Sequence, residues 1–439
     1  MQFTNKQIAV VAVLNVVILA LLAVVFLVPR FASPPDADVP PDGPTDGVQT
    51  EPQAHDKYRA ASAGLVDGIE RETRLMGDGD ETVVKAYFHG GFTYIFGNAT
   101  VKGLDFDEYG GFLCIVDGDG KITSYSYFRE KITATCIMAG GYGVAAGNLY
   151  YCDYDGNTVL SARTDDEVVG LLVAGSGVAV ITQPTSTSLT YTDYSVSGTA
   201  WTAGRSTRID SGYTVKYFDC YDFGDRRVIA ARAYSLPRYD SLALYTFEPG
   251  GDAAVLYYGG TGENLTTPYA VMPYRDGYFA LCAVNGVATV ISADYAYTSK
   301  HSYSLGFTTD GARAFYCDKK YYACFDRADG PVTYELDDYL SRRRVGELDG
   351  LSLDCVVKSD GRIVGYGGVT QKTSSGVSRI SVAAVTVGSG GTRAFEILSG
   401  TVHAATAEKA PTVVLSARGG SALSAPTELD IYVLKLNGT

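Results

Sequence analysis

Residues 90–96 read GGFTYIF and residues 276–284 read DGYFALCAV. In both, a turn built on Gly or Asp leads straight into an apolar strand. The same pattern recurs as GGYGVAAG (140–147), GSGVAVI (175–181), GDRRVIAA (224–231), DGARAFYC (310–317), DGRIVGYGG (360–368) and KAPTVVLSA (409–417). With Gly91, Gly141, Gly177, Asp225, Gly277, Gly311, Gly361 and Pro411 as anchors, successive differences are 50, 36, 48, 52, 34, 50 and 50. Runs of six to ten residues rich in Val, Ile, Tyr, Thr and Ala fill the intervals, separated by Gly, Asp and Asn. This is the signature of β-strands joined by tight turns. FLCIV-DGDG-KITSYSYF (112–128) and LYYC-DYDG-NTVL (149–160) read as hairpins. The one helical candidate is Tyr334–Val345, YELDDYLSRRRV.

A period of about 40–50 residues with four short strands per unit is the mark of propeller blades. Four strands alone leave two apolar faces open, and stacking around an axis buries both. Residues 68–439 are thus similar to β-propellers in general. The resemblance implies an all-β fold of eight four-stranded blades, alternatively seven. The last unit has three strands (about 400–407, 411–418 and 428–436), and Ile69–Leu75 (IERETRL) is placed to supply its outer strand and close the ring. No single blade family is matched. The Trp-Asp ending of WD40 repeats is absent, and the aromatic pattern that follows GG in kelch repeats is missing. Membrane-tethered propellers with a hydrolase domain have a similar layout, but no G-x-S-x-G elbow occurs here.

Ahead of the repeat, Ile8–Val28 reads IAVVAVLNVVILALLAVVFLV, with Asn15 the one polar side chain and no charge. As a helix it is long enough to cross a ~30 Å hydrocarbon core. It is longer than the ~7–15 residue apolar core of a cleaved signal peptide. We read it as an anchor, with the lipid bilayer as its partner. Lys6 on the short side, against Arg30 and then only acids on the other, sets residues 1–7 in the cytoplasm and the C-terminal domain outside. Residues 29–57 hold seven of the fifteen prolines among aspartates and read as a disordered stalk. Residues 58–439 are the extracytoplasmic propeller.

Charge and motifs narrow the function. Residues after 30 carry 34 basic and 49 acidic groups, a balance of 34 − 49 = −15. An acidic surface repels phosphate backbones, so nucleic acid is a poor partner. His55, His89, His301 and His403 share no metal-ligand spacing, and there is no HExxH. Asp117-Gly118-Asp119-Gly120 begins like a calcium loop but has Lys121 and Ile122 where Asp or Asn and then Gly are needed. It reads as a turn, as does Asp153–Gly156. No cofactor is implied, and no catalytic, cofactor-binding or metal residue is assigned. Among the eight cysteines, Cys317 and Cys324 flank a hairpin and form the best local pair for a disulfide; CxxC is absent. Arg342-Arg343-Arg344 sits among Glu335, Asp337, Asp338 and Glu347 and reads as self-neutralised. Asn98, Asn264 and Asn437 head N-x-[ST] sequons. The 33 tyrosines are spread through strands, where packing between blades is their ordinary use.

The expected function is a binding or scaffold module of the cell envelope, with a protein or glycan partner on the propeller loops. The alternative is a carbohydrate-active enzyme or lectin using the central funnel. Two or three inward carboxylates with tyrosine beside them favour the alternative. A funnel lined with Ala, Val and Gly opposes it. A sensor passing a signal through a membrane partner is the third reading.

Overall fold

The run Phe112–Val116 (FLCIV) is apolar at every position because both of its faces are covered. Phe112, Cys114 and Val116 pack with Ile95, Leu75, Val414 and Ile431, whereas Leu113 and Ile115 pack with Tyr94, Phe96, Tyr142 and Val144. Successive side chains of a strand point to opposite faces, so a strand buried on both sides loses its polar alternation. The computed structural model describes residues 48–49, 69–75, 82–102, 107–174, 177–197, 200–235, 238–258, 266–274, 277–294, 300–337, 341–372, 378–388, 393–398, 400–408, 410–418 and 429–436.

These residues form eight antiparallel sheets, each a blade of four strands; seven blades run in chain order, blade one carries the short Val48–Gln49 as an added edge strand, and blade eight takes its outer strand from the N-terminal side. Inner strands are Thr82–His89 in blade one, Ala134–Met138 in two, Glu167–Ala174 in three, Thr214–Asp222 in four, Thr266–Tyr274 in five, Gly311–Cys317 in six, Leu351–Ser359 in seven and Gly400–Ala405 in eight. Each touches the inner strand of the next blade, and that of blade eight touches that of blade one. The ring is closed. Its fold is an eight-bladed β-propeller.

Closure uses both ends of the repeat region. In blade eight, Thr412–Arg418 and Leu429–Leu436 follow the inner strand, and Ile69–Leu75 adds the outer strand, pairing Ile69 with Leu436 and Leu75 with Ile431. The expected closing strand is therefore in place. Eight apolar clusters fill the eight boundaries between blades, one to each. The cluster that joins blade eight to blade one includes Leu75, which is fully buried.

Seven anchors mark the turn between the first and second strands of a blade. The sixth, Gly311, opens an inner strand instead. The corresponding turn is Asp318-Lys319, both at positive φ (51° and 63°), between the paired residues Cys317 and Lys320. Two positive φ values in a row make a tight turn whose twist matches the strands. Gly90-Gly91 (59° and 84°) and Asp360-Gly361 (46° and 75°) do the same in blades one and seven. With Lys319 as the anchor, 319 − 277 and 361 − 319 are both 42, in place of the unequal 34 and 50, and the gap of 36 between Gly141 and Gly177 is the one short spacing left.

Two further expectations are corrected. Tyr334–Val345 is not a helix: Val332–Leu336 and Arg342–Arg344 are antiparallel strands. Glu335 stands opposite Arg343 and pairs with it at 2.8 Å, so the neutralising acid is a cross-strand partner. Cys317 and Cys324 are not bonded. They lie at opposite ends of their hairpin, opposite Lys320 and Arg313, and all eight cysteines are free thiols. Burial pushes Cys136 and Cys355 up to about 11, so they remain protonated.

Val48–Gln49, within the segment read as stalk, pairs with Phe128 and Tyr127 on the outer edge of blade one. The rest of residues 1–57, including Ile8–Val28, lies outside the described residues. Among the described residues no helix is long and apolar enough to cross a membrane.

Leu75→Ala tests the closure. It should lower the unfolding free energy by about 2–5 kcal/mol, the cost of a truncated core leucine, in denaturant titrations. An unchanged midpoint would mean that Ile69–Leu75 is not docked.

Candidate functional site

Six of the eight inner strands carry a register shift against their second strand, at Val83/Lys85, Val168/Gly170, Tyr217/Asp219, Pro268/Ala270, Leu353/Cys355 and Val402/Ala404. The extra residues are Val84, Val169, Phe218, Tyr269, Asp354 and His403. A bulge bends its strand and re-aims its side chains. Repeated around the ring, it shapes the wall of the central channel.

The wall from blades one to four bounds a space of about 420 Å³, with Tyr87, Ile137, Leu171, Tyr217, Phe218 and Asp219 among its lining. Tyr87 is fixed by its hydroxyl, which donates to the Thr135 carbonyl oxygen at 3.0 Å. Tyr217 lies against Gly170, where an added Cβ would come within 2.6 Å of the ring carbon Cζ. Any larger residue there displaces the ring. Lys85 is also part of this wall. Its charge acts on Asp219 in blade four and, more weakly, on Cys355 in blade seven. Among the described residues no ion pair or hydrogen bond engages it.

Asp219 is open to lumen water but hemmed in by protein, and loss of bulk solvent raises its carboxyl. Oδ1 accepts from the Cys220 backbone N–H at 2.8 Å, and Oδ2 lies 2.8 Å from the Tyr221 hydroxyl, whose single proton is shared between it and the Val271 carbonyl oxygen. The other inward carboxylate, Asp354, is raised by burial, with the Val402 N–H and Arg313 acting against that. Arg313 donates to Asp354 Oδ1 at 3.3 Å and to Asp326 Oδ1 at 2.9 Å, and it reaches the Ser352 hydroxyl. The Val402 N–H donates to Asp354 Oδ2 at 3.1 Å. Blades six, seven and eight are thus clamped through one guanidinium and one carboxylate. The wall from blades one to four holds one carboxylate beside tyrosine rather than the pair that glycoside hydrolysis uses.

Antiparallel succession puts the turns between first and second strands, and between third and fourth, on one face of the disc. That face carries an aromatic cluster at the boundary of blades five and six. The Tyr321 ring packs on Tyr316 (4.9 Å between centroids), Phe279 (5.0 Å) and Tyr274 (5.9 Å), and Tyr316 is 56% exposed. Phe92 and Val173 are exposed on the same face. A cleft of about 300 Å³ lies there between blades eight and one, lined by His89–Phe92, Asp117 and Glu408, with Lys435 held by Glu408 at 3.1 Å.

The residues singled out in the sequence fall elsewhere. Asp117 Oδ1 accepts from the backbone N–H groups of Asp119 and Lys121, and Asp153 Oδ1 accepts from those of Asp155 and Asn157, so both segments are side-chain-capped turns. Arg343 pairs with Glu335, Arg344 with Asp349, and Arg342 lies over the Tyr303 ring. His89 stacks on Tyr154 at 3.9 Å, and His301 on Tyr303 at 6.1 Å. Asn98 has its amide tied to both backbone groups of Ile132. Asn264, Asn437 and His55 lie outside the described residues. Tyrosine hydroxyls do join blades: Tyr94 reaches Tyr154 O, and Tyr321 reaches Pro273 O. The channel groups Lys85, Asp219, Arg313 and Asp354 were missed. Their signal is a charge inside the inner strand that leads into each anchor turn.

No family model matches the sequence, and neither does any curated protein. Solved structures match over most of the chain. The Dos1 propeller is 12% identical and covers 86% of this chain and 96% of its own, with a TM-score of 0.51. The likeness is one of fold. BamB from Moraxella catarrhalis (12% identity, 84% of this chain, 100% of that chain, TM-score 0.48) and the WD40 domain of SCAP from fission yeast (11%, 89%, 97%, 0.49) are similar to the same extent.

His403, on the inner strand of blade eight, shares a hydrogen bond with Ser416 Oγ at 2.9 Å, and burial pushes its imidazole down to about 4. The unfolded chain then takes up the proton first. Its stability contribution is full above about pH 6.5 and is lost as pH falls toward 4. Between pH 7 and pH 4.5 the wild type should lose on the order of 2–3 kcal/mol relative to His403→Gln. Parallel slopes in urea unfolding would contradict this.

Proposed function

We propose that this chain is a membrane-anchored, extracytoplasmic β-propeller that binds a protein partner in the cell envelope and serves as a scaffold. Ile8–Val28 is the anchor on this reading, with residues 1–7 in the cytoplasm and residues 29–57 as the stalk. The apolar run and the proline-rich segment support that arrangement.

The observation that carries the partner is the turn face. Tyr316, Phe92 and Val173 are exposed on this face, on blades six, one and three, and Tyr316 packs on Tyr321, which packs in turn on Tyr274 and Phe279. A preorganised aromatic patch with charged groups around it fits a protein interface. Asp318, Lys319 and Lys320 edge this one. The short, charged outer strand Arg342–Arg344 suits a blade edge that resists non-specific pairing, which leaves recognition to the faces.

Photo-crosslinking of the full chain in native membranes tests this. Tyr316→Asp combined with Phe92→Asp should abolish a specific crosslinked partner, whereas Tyr234→Asp on the opposite face should leave it. Loss with both, or with neither, would contradict the assignment of the face.

A further inference from the structure

The channel wall of blades one to four is built like a small-molecule site. Its space of about 420 Å³ is of the size that encloses small organic ligands. Its rings are held before any ligand arrives. Tyr87 is tied to Thr135 O, and Tyr217 is seated on Gly170. Phe218 is the bulged residue of its strand; its ring also lies under the Arg232 guanidinium at 5.4 Å and against the apolar cluster between blades four and five.

The charges on this wall are not equivalent. Asp219 is held by the Cys220 N–H on Oδ1 and has the Tyr221 hydroxyl beside Oδ2. Lys85 makes no hydrogen bond or contact ion pair among the described residues, its charge acting on Asp219 from a distance, whereas Arg313 is engaged by Asp326, Asp354 and Ser352. An ammonium among protein walls gains from a carboxylate more than one in bulk water does, because the local dielectric is lower. Asp219 also leaves a negative charge in the same lumen, which works against multiply charged anions such as phosphates.

We propose that this wall binds a small organic monocarboxylate with an apolar or aromatic body. The Lys85 ammonium pairs with the carboxylate, and Tyr217, Phe218 and Tyr87 flank the body. The binding is independent of the protein-docking face, since Tyr316 lies beside the turn of blade six and does not line this space.

Isothermal titration of the full chain in detergent with 4-phenylbutyrate and octanoate tests this. At least one should bind saturably at one site per chain. The neutral 4-phenylbutanamide and the cationic 4-phenylbutylamine should bind at least about tenfold more weakly, the loss of one charge-assisted contact. Lys85→Met should weaken carboxylate binding by a similar factor. Lys85→Arg should retain most of it, and Tyr316→Asp should change nothing. Melting curves establish that each variant is folded. Absence of saturable binding by both acids, equal affinity in Lys85→Met, or an amine that binds as well as the acid would overturn the proposal.

Discussion

Apolar contact between neighbouring blades is the constraint on which everything else rests. A four-stranded sheet with runs such as FLCIV at its centre has no face it can leave in water. Ile95 and Phe112 must meet blade eight, and Tyr94 and Leu113 must meet blade two. A row of such sheets with free ends would expose two apolar faces, so the row bends into a ring and the ring must shut. Each fully buried side chain of this size contributes about 1.5–3 kcal/mol, and eight boundary clusters carry that term around the whole disc. Closing blade eight with Ile69–Leu75 ties the two ends of the domain into one sheet. The last boundary is thereby made of the same material as the others.

Closure also creates the channel. Eight inner strands side by side cannot all run straight and still match the twist of their sheets, and six of them bulge at mid-strand. The bulges direct Phe218, Asp354 and His403 away from the regular ladder. Around blades six to eight the resulting polar groups satisfy one another through Arg313. Around blades one to four they leave aromatic walls and a lone lysine. The difference between the two sides of one channel is what distinguishes structural polarity from a site.

Much of the fold was readable in the sequence, because tight turns and doubly buried strands leave local signals. Gly91, Gly141, Gly177, Gly277 and Gly361 each mark the first hairpin of a blade. Asp318-Lys319 makes the same turn without glycine, so the pattern slipped by one strand in blade six and returned at Gly361. Tyr334–Val345 misled because a short charged run between two strands carries no strand alternation; Glu335 and Arg343, eight residues apart, meet only across the two strands. Cys317 and Cys324 looked paired because a hairpin was assumed to turn midway between them, whereas it turns next to Cys317. The channel was not readable. A bulge is a matter of register between two strands, and which inner-strand residue faces the lumen depends on it. Lys85 looks like any strand lysine until Asp219 and Cys355 are seen around it.

Hydrogen exchange by mass spectrometry addresses ring closure most directly. Amides of 69–75 and of 429–436 are paired in one sheet, so both peptides should be protected, 69–75 to the degree of the outer strands of the other blades and 429–436 to that of their third strands. Fast exchange over 69–75 while 429–436 stays protected would contradict the account, since the ring would then close without its N-terminal strand.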